Sequence, residues 1–260
     1  MIRFPGVSGA GRQARERVIT MPRARRLAST VVVAALAVAG LAACDRAPDV
    51  AVYYGTTKAI TEDTVQRVWD DSFAKLVPNA AGKKVMPVSR QDIVGRMVEL
   101  DALRQLGKTQ GFTATPTSAP EIAQQLSMAQ DAPLVTIEAE FQGWATAAQQ
   151  AVKADELTDA DLRDIFARLK ASGPLDGNPT YEQFAGSVTA QAKQALGPAL
   201  GLRNDLQAAA TSLKIKFNPR YAAPTLSLYQ TTGSDGNPLT LVEVTFGSSA
   251  AAPAPVTDVA

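Results

Sequence analysis

Two hydrophobic periods alternate along the chain. Val50-Ala51-Val52-Tyr53-Tyr54 reads as a short strand that Gly55 closes. From there to about Leu213 the apolar spacing is helical. Thr61, Glu62 and Asp63 supply an N-cap and first-turn acids, and Val65, Val68, Trp69, Phe73 and Leu76 fall on one face. Ser89 and Asp92 form a capping box ahead of Ile93, Met97, Leu100 and Leu103, with Gly107 as the expected stop. Ser118 and Glu121 form a second box before Ile122 and Leu126. The cleanest stripe follows: Leu134, Ile137, Phe141, Trp144, Ala148 and Val152. Thr158 and Asp161 open a helix carrying Leu162, Ile165, Phe166 and Leu169. After the turn-rich 173–179, Thr180 and Gln183 open a long helical region through Phe184, Val188, Leu196, Leu200, Leu206 and Leu213. Gly197-Pro198 is expected to bend or interrupt it, because proline removes a backbone donor.

The period then switches to two. Leu213, Ile215 and Phe217 alternate with Lys214 and Lys216, and two more β-like runs, Leu226–Tyr229 and Leu239–Phe246, flank the turn 233–238. A lone strand at Val50–Tyr54 cannot satisfy its own backbone groups, and Leu213–Phe217 is its natural partner. The predicted fold is therefore mainly α: a helical domain over 50–222, a short strand pair joining its ends, and a C-terminal β-hairpin at 223–246. Residues 247–260, mostly Ala, Pro and Ser, read as a disordered tail.

The segment before this domain has a different character. Residues 1–26 hold seven Arg against one acid, Glu16, and an apolar run from Leu27 to Ala43 ends in Leu41-Ala42-Ala43-Cys44. That is the layout of an export signal, and its apolar core of about 16 residues falls short of the roughly 20 that a spanning helix needs. Leu41, Ala42, Ala43 and Cys44 resemble the lipobox of bacterial lipoproteins. The resemblance implies cleavage of 1–43, diacylglycerol on the Cys44 thiol, an acyl chain on its new amine, and a short tether over 44–49. It places the mature protein on the outer face of the cell membrane. Met21 offers an alternative start, since 21–26 alone makes a complete cationic region; the flanks of Arg25-Arg26 favour general over twin-arginine export.

Cleavage changes the electrostatics. It removes seven of 26 basic residues and one of 25 acidic ones, so the formal charge goes from +1 to −5. A mildly acidic surface argues against nucleic acid as a partner. Cys44 is the only cysteine, so once acylated it leaves no thiol for disulfides, redox chemistry or zinc. The chain has no histidine, which removes Ser-His-Asp and Cys-His catalysis and His-ligated zinc.

The order of elements is similar to the SurA N-terminal domain of foldase chaperones, the group that includes PrsA-type lipoproteins. The matching residues are Val52–Gly55, Ile60-Thr61-Glu62-Asp63-Thr64-Val65, Arg90–Val98, Leu157–Leu162 and Asn218-Pro219-Arg220-Tyr221. Many members insert a parvulin prolyl isomerase domain before the last helix. Here 171–179 is too short to hold one, and the histidines of parvulin sites are absent. The resemblance therefore implies a non-catalytic scaffold without cofactors that holds unfolded or newly exported polypeptides near the membrane without ATP. The alternative is an adaptor or structural lipoprotein that binds one cell-envelope partner.

The stripe Leu134, Ile137, Phe141 and Trp144 reads first as ordinary core, and as a candidate client surface if its aromatic residues stay partly exposed. Trp69 and Phe73 read as core, and Met86, Met97 and Met128 as gap-fillers. Asp159, Asp161 and Asp164 fail as a calcium loop because Asp164 occupies the glycine position and Lys170 the twelfth. Gly6, Gly9 and Gly11 follow no strand and form no phosphate loop. Arg220 reads as the salt-bridged anchor of a turn, and Asn178-Pro179-Thr180 cannot be a glycosylation sequon.

Overall fold

The computed structural model describes residues 48–173, 177–233 and 236–247. The expected signal segment 1–43 with its lipobox-like end, Cys44 and the expected tether to residue 47, and the expected tail from 248 lie outside the described residues. Everything described belongs to one compact unit that begins at Arg46 and contains both hydrophobic clusters.

Strand β1 (Val50–Tyr54) turns at Gly55, whose φ of +63° suits glycine, into β2 (Thr57–Thr61). Thr61 ends β2 and caps α1 (Glu62–Ala74), its side chain accepting from the Thr64 N–H. Helix α2 (Arg90–Gln110) starts at the Ser89/Asp92 capping box. It runs through Gly107 and stops at Gly111, which takes the left-handed cap at φ +82°. The expected stop at Gly107 is thus corrected: that glycine is buried inside the helix, because a side chain there would collide with the Trp144 ring.

Helix α3 (Ala119–Leu126) lacks the side-chain cap bond expected at Ser118 and begins with Pro120 in its first turn instead. Helix α4 (Pro133–Ala151) carries the apolar stripe. Helix α5 (Asp159–Ala171) is opened by the Thr158/Asp161 box, and α6 (Tyr181–Ser187) by the Thr180/Gln183 box. The break in the last helical region falls at Val188, and Thr189 caps a new helix, α7 (Ala190–Leu213). Pro198 lies inside α7, which runs through it without interruption. Leu213 is the last residue of α7, so the strand β3 is only Ile215–Phe217, after a left-handed Lys214.

Strand β1 pairs antiparallel with β3 (Val52 opposite Phe217, Tyr54 opposite Ile215), so the expected closure of the helical segment is present. It also pairs with β2, which the sequence did not suggest because Thr57–Thr61 has only one apolar side chain beyond Ala59. Strand order is β2-β1-β3. Asn218 locks the junction: its buried side chain donates to the Val50 carbonyl and its N–H to Ala51. Arg220 reaches the Pro48 carbonyl and pairs with Glu62 at 3.6 Å, and the Tyr221 hydroxyl donates to Glu62 at 2.7 Å. Arg220 is therefore the turn anchor.

Strands β4 (Thr225–Thr232) and β5 (Pro238–Thr245) form the hairpin. It is more than an extension, because Val244 and Phe246 belong to the main core with β1, α1, α2, α4 and α7. A second cluster joins Ile165 of α5, Leu196 and Leu200 of α7, and Leu241 and Val242 of β5. Arg168–Glu243 (2.9 Å) and Arg203–Asp161 (2.7 Å) tie α5 to the hairpin and to α7.

Candidate functional site

Most of the α4 stripe is used internally. Leu134 and Phe141 are buried, Ile137 and Trp144 half-buried. Trp144 lies over Gly107 and meets Phe112 with ring centroids 6.0 Å apart. The Arg96 guanidinium stands 3.7 Å above the Phe141 ring and pairs with Glu99 (2.8 Å) and Glu138 (2.9 Å). Burial pushes the Glu99 carboxyl up to about 7, outweighing the opposing pull of Arg96; Glu138 and Asp92 add to the rise. The cluster rigidifies the α2–α4 seam. Leu134 and Phe141 are closed to a client by this packing, which corrects the expectation of a binding face there.

Other predicted residues are also accounted for by local bonding. Asp159 pairs with Arg163, Asp164 with Arg168, and Asp161 caps α5 while holding Arg203. Met128 is buried, and Met86 and Met97 pack half-buried on the main cluster. Phe73 departs from its expected core position: at the last turn of α1 it is 42% exposed, whereas Trp69, one turn earlier, is half-buried under Arg90.

The arrangement that can bind a chain lies elsewhere. Among the described residues β4 pairs only with β5, so its other edge has no strand partner. An exposed row of backbone donors and acceptors is a template for an added strand. Beside it is a cleft of about 220 Å³ lined by Gln149 of α4, by Ala195, Pro198, Ala199 and Leu202 of α7, and by Leu228 and Tyr229 of β4. Its lining is mixed, with the Leu, Pro and Ala side chains set among nearly as much polar surface. No family model, curated protein or solved structure matches the chain. Geometry and chemistry alone must therefore carry the functional reading.

The cleft exists because of how α7 is packed. The backbone of 152–155 crosses α7 at Gly197 and Gly201; a side chain at Gly201 would collide with the Lys153 carbonyl, and the Asp155 N–H bonds to Gly197 O at 3.0 Å. This close crossing holds α7 against the end of α4, with Pro198 on the side facing β4. Sequence reasoning noted Pro198 and the Leu226–Tyr229 strand separately. Nothing in the local pattern indicated that they meet. No described helix is long and apolar enough to cross a membrane.

Proposed function

We propose that the protein is a lipid-anchored lipoprotein on the outer face of the cell membrane that holds unfolded or newly exported polypeptides without ATP and without prolyl isomerase activity. The observation that carries this reading is the edge of β4 that has no strand partner among the described residues, beside a cleft of mixed polar and apolar lining. An extended polypeptide added to that edge is bound through its backbone, which every sequence offers, while one apolar side chain enters the cleft. Binding of this kind is broad and weak, as a holdase requires. The lipobox Leu41–Cys44 supplies the anchor, and two or more acyl chains are needed to make it stable.

The direct test is suppression of aggregation of a denatured client by the soluble form, from residue 44 onward with Cys44→Ser. Tyr229→Lys, which puts a charge at the cleft, should abolish the effect. No suppression at several-fold molar excess of the parent form would sink the holdase reading. Palmitate labelling of cells should disappear with Cys44→Ala; undiminished labelling would remove the anchor.

A second reading has one observation in its favour. Among the described residues only Phe73, Val77 and Val85 are strongly exposed large hydrophobics, a small apolar area for a promiscuous chaperone. An adaptor for one folded envelope partner needs no more. In-cell cross-linking separates the two readings, since an adaptor gives a single saturable complex and a holdase gives many.

A further inference from the structure

The stretch from Ser72 to Gln91 contains Lys75, Lys83, Lys84 and Arg90 and no Asp or Glu, in a chain that carries −5 from Cys44 onward. It leaves the end of α1 as an ordered loop. The Asn79 N–H donates to the Lys83 carbonyl at 2.9 Å, the Asn79 side-chain oxygen accepts from the Ala81 and Lys83 N–H groups, and Gly82 turns at φ +72°. Its base is fixed, with the Val77 N–H on Ser127 O at 2.8 Å and the Lys84 ammonium on Ala74 O at 2.6 Å. Every residue from Val77 to Val85 is exposed, so the loop is convex. Val77 is 57% and Val85 66% exposed, and Phe73 stands at the helix end that Lys84 caps.

Apolar side chains exposed among lysines on a rigid convex turn suit neither a core nor a cleft. We infer that this loop is a membrane contact, which sets Val77, Val85 and Phe73 into the interfacial layer of a bilayer and its lysines against anionic phospholipid headgroups. Lysine stems lie along apolar surface while their ammonium groups reach phosphate, and each such charge adds attraction to an anionic surface. Lys75 is shared with Asp131 at 2.7 Å and the Lys84 ammonium is turned to the end of α1, so Lys83 at the exposed turn is the principal cation.

The first N–H of α1 bonds to Asp49 O, and the loop follows the far end of that 13-residue helix, roughly 18 Å away at 1.5 Å per residue. The four residues from Cys44 to 47 add a reach of roughly 14 Å. That reach is shorter than α1, so a lipid on Cys44 and the loop engage one membrane together only with α1 inclined to the bilayer. The loop's own affinity does not depend on that lipid.

The test uses the same lipid-free form and vesicles of phosphatidylcholine alone or in equimolar mixture with phosphatidylglycerol. Sedimentation should show binding to the anionic vesicles only, weakened by salt. Lys83→Glu combined with Val85→Asp should weaken it roughly tenfold or more, and the added tryptophan of Val85→Trp should strengthen it and shift to the blue in emission. Equal binding to both vesicle types, binding unchanged by the double variant, or none even with Val85→Trp would each overturn the assignment. So would capture of an acidic denatured polypeptide by this loop without vesicle binding. The holdase assay reads the β4 cleft, so either proposal can fail while the other stands.

Discussion

The α4 stripe and the 75–89 loop make opposite use of apolar residues. The stripe is the most regular hydrophobic pattern in the chain, and it is consumed in packing: Phe141 under Arg96, Trp144 over Gly107, Leu134 in the main core. The loop has no period, yet it carries two of the three strongly exposed large hydrophobics among the described residues. Regularity marks what the fold needs for itself. The strongly exposed large hydrophobics among the described residues stand where regular structure ends.

Substitutions can break that comparison, beginning with the largest effect. Phe141→Ala should cost about 3–5 kcal/mol in chemical denaturation, the range for an emptied aromatic core site. A loss near zero would mean that the α2–α4 seam is loose and the stripe available after all. Gly201→Ala should cost about 1–3 kcal/mol, because the colliding atom is the Lys153 backbone carbonyl and cannot swing away. The same variant should shift α7 and weaken client binding at the β4 cleft.

Glu99 gives a prediction in pH. Its folded value is raised to about 7 from an ordinary 4.5, so between those values the folded state binds more protons than the unfolded one. Its contribution to stability is therefore complete below about pH 4.5 and falls as pH rises to about 7. Glu99→Gln should flatten that part of the stability profile, and an unchanged slope would show that the seam admits water. Smallest is the effect of Val85→Ser on stability, expected within about 0.5 kcal/mol at so exposed a site. A larger loss in its melting would make the loop part of the fold.

What could be read from sequence divides along the same line. The boxes at Ser89, Thr158 and Thr180 were legible because each is closed within four residues by its own side chains. Strands β1 and β3 were legible from alternation and from the need of an isolated strand for a partner. Gly107 misled because its local preference is to stop a helix, whereas here it makes room for a distant neighbour, Trp144; Pro198 does not interrupt α7 and lines the cleft beside β4. Strand β2 was invisible because its conformation is imposed by the register with β1. The cleft shares that cause: it is made by juxtaposition, which no short window contains.

The position of β1 between two antiparallel neighbours has a mechanical consequence. Any tension on the chain before Pro48 runs straight into that middle strand, along its length. To yield, it must slide past β2 and β3 together and also free the Asn218 and Arg220 grips on Val50 and Pro48. Hydrogen bonds loaded in shear share the force instead of parting one by one. A pull on the chain ahead of Pro48 is thus met at once by a strand bonded on both sides.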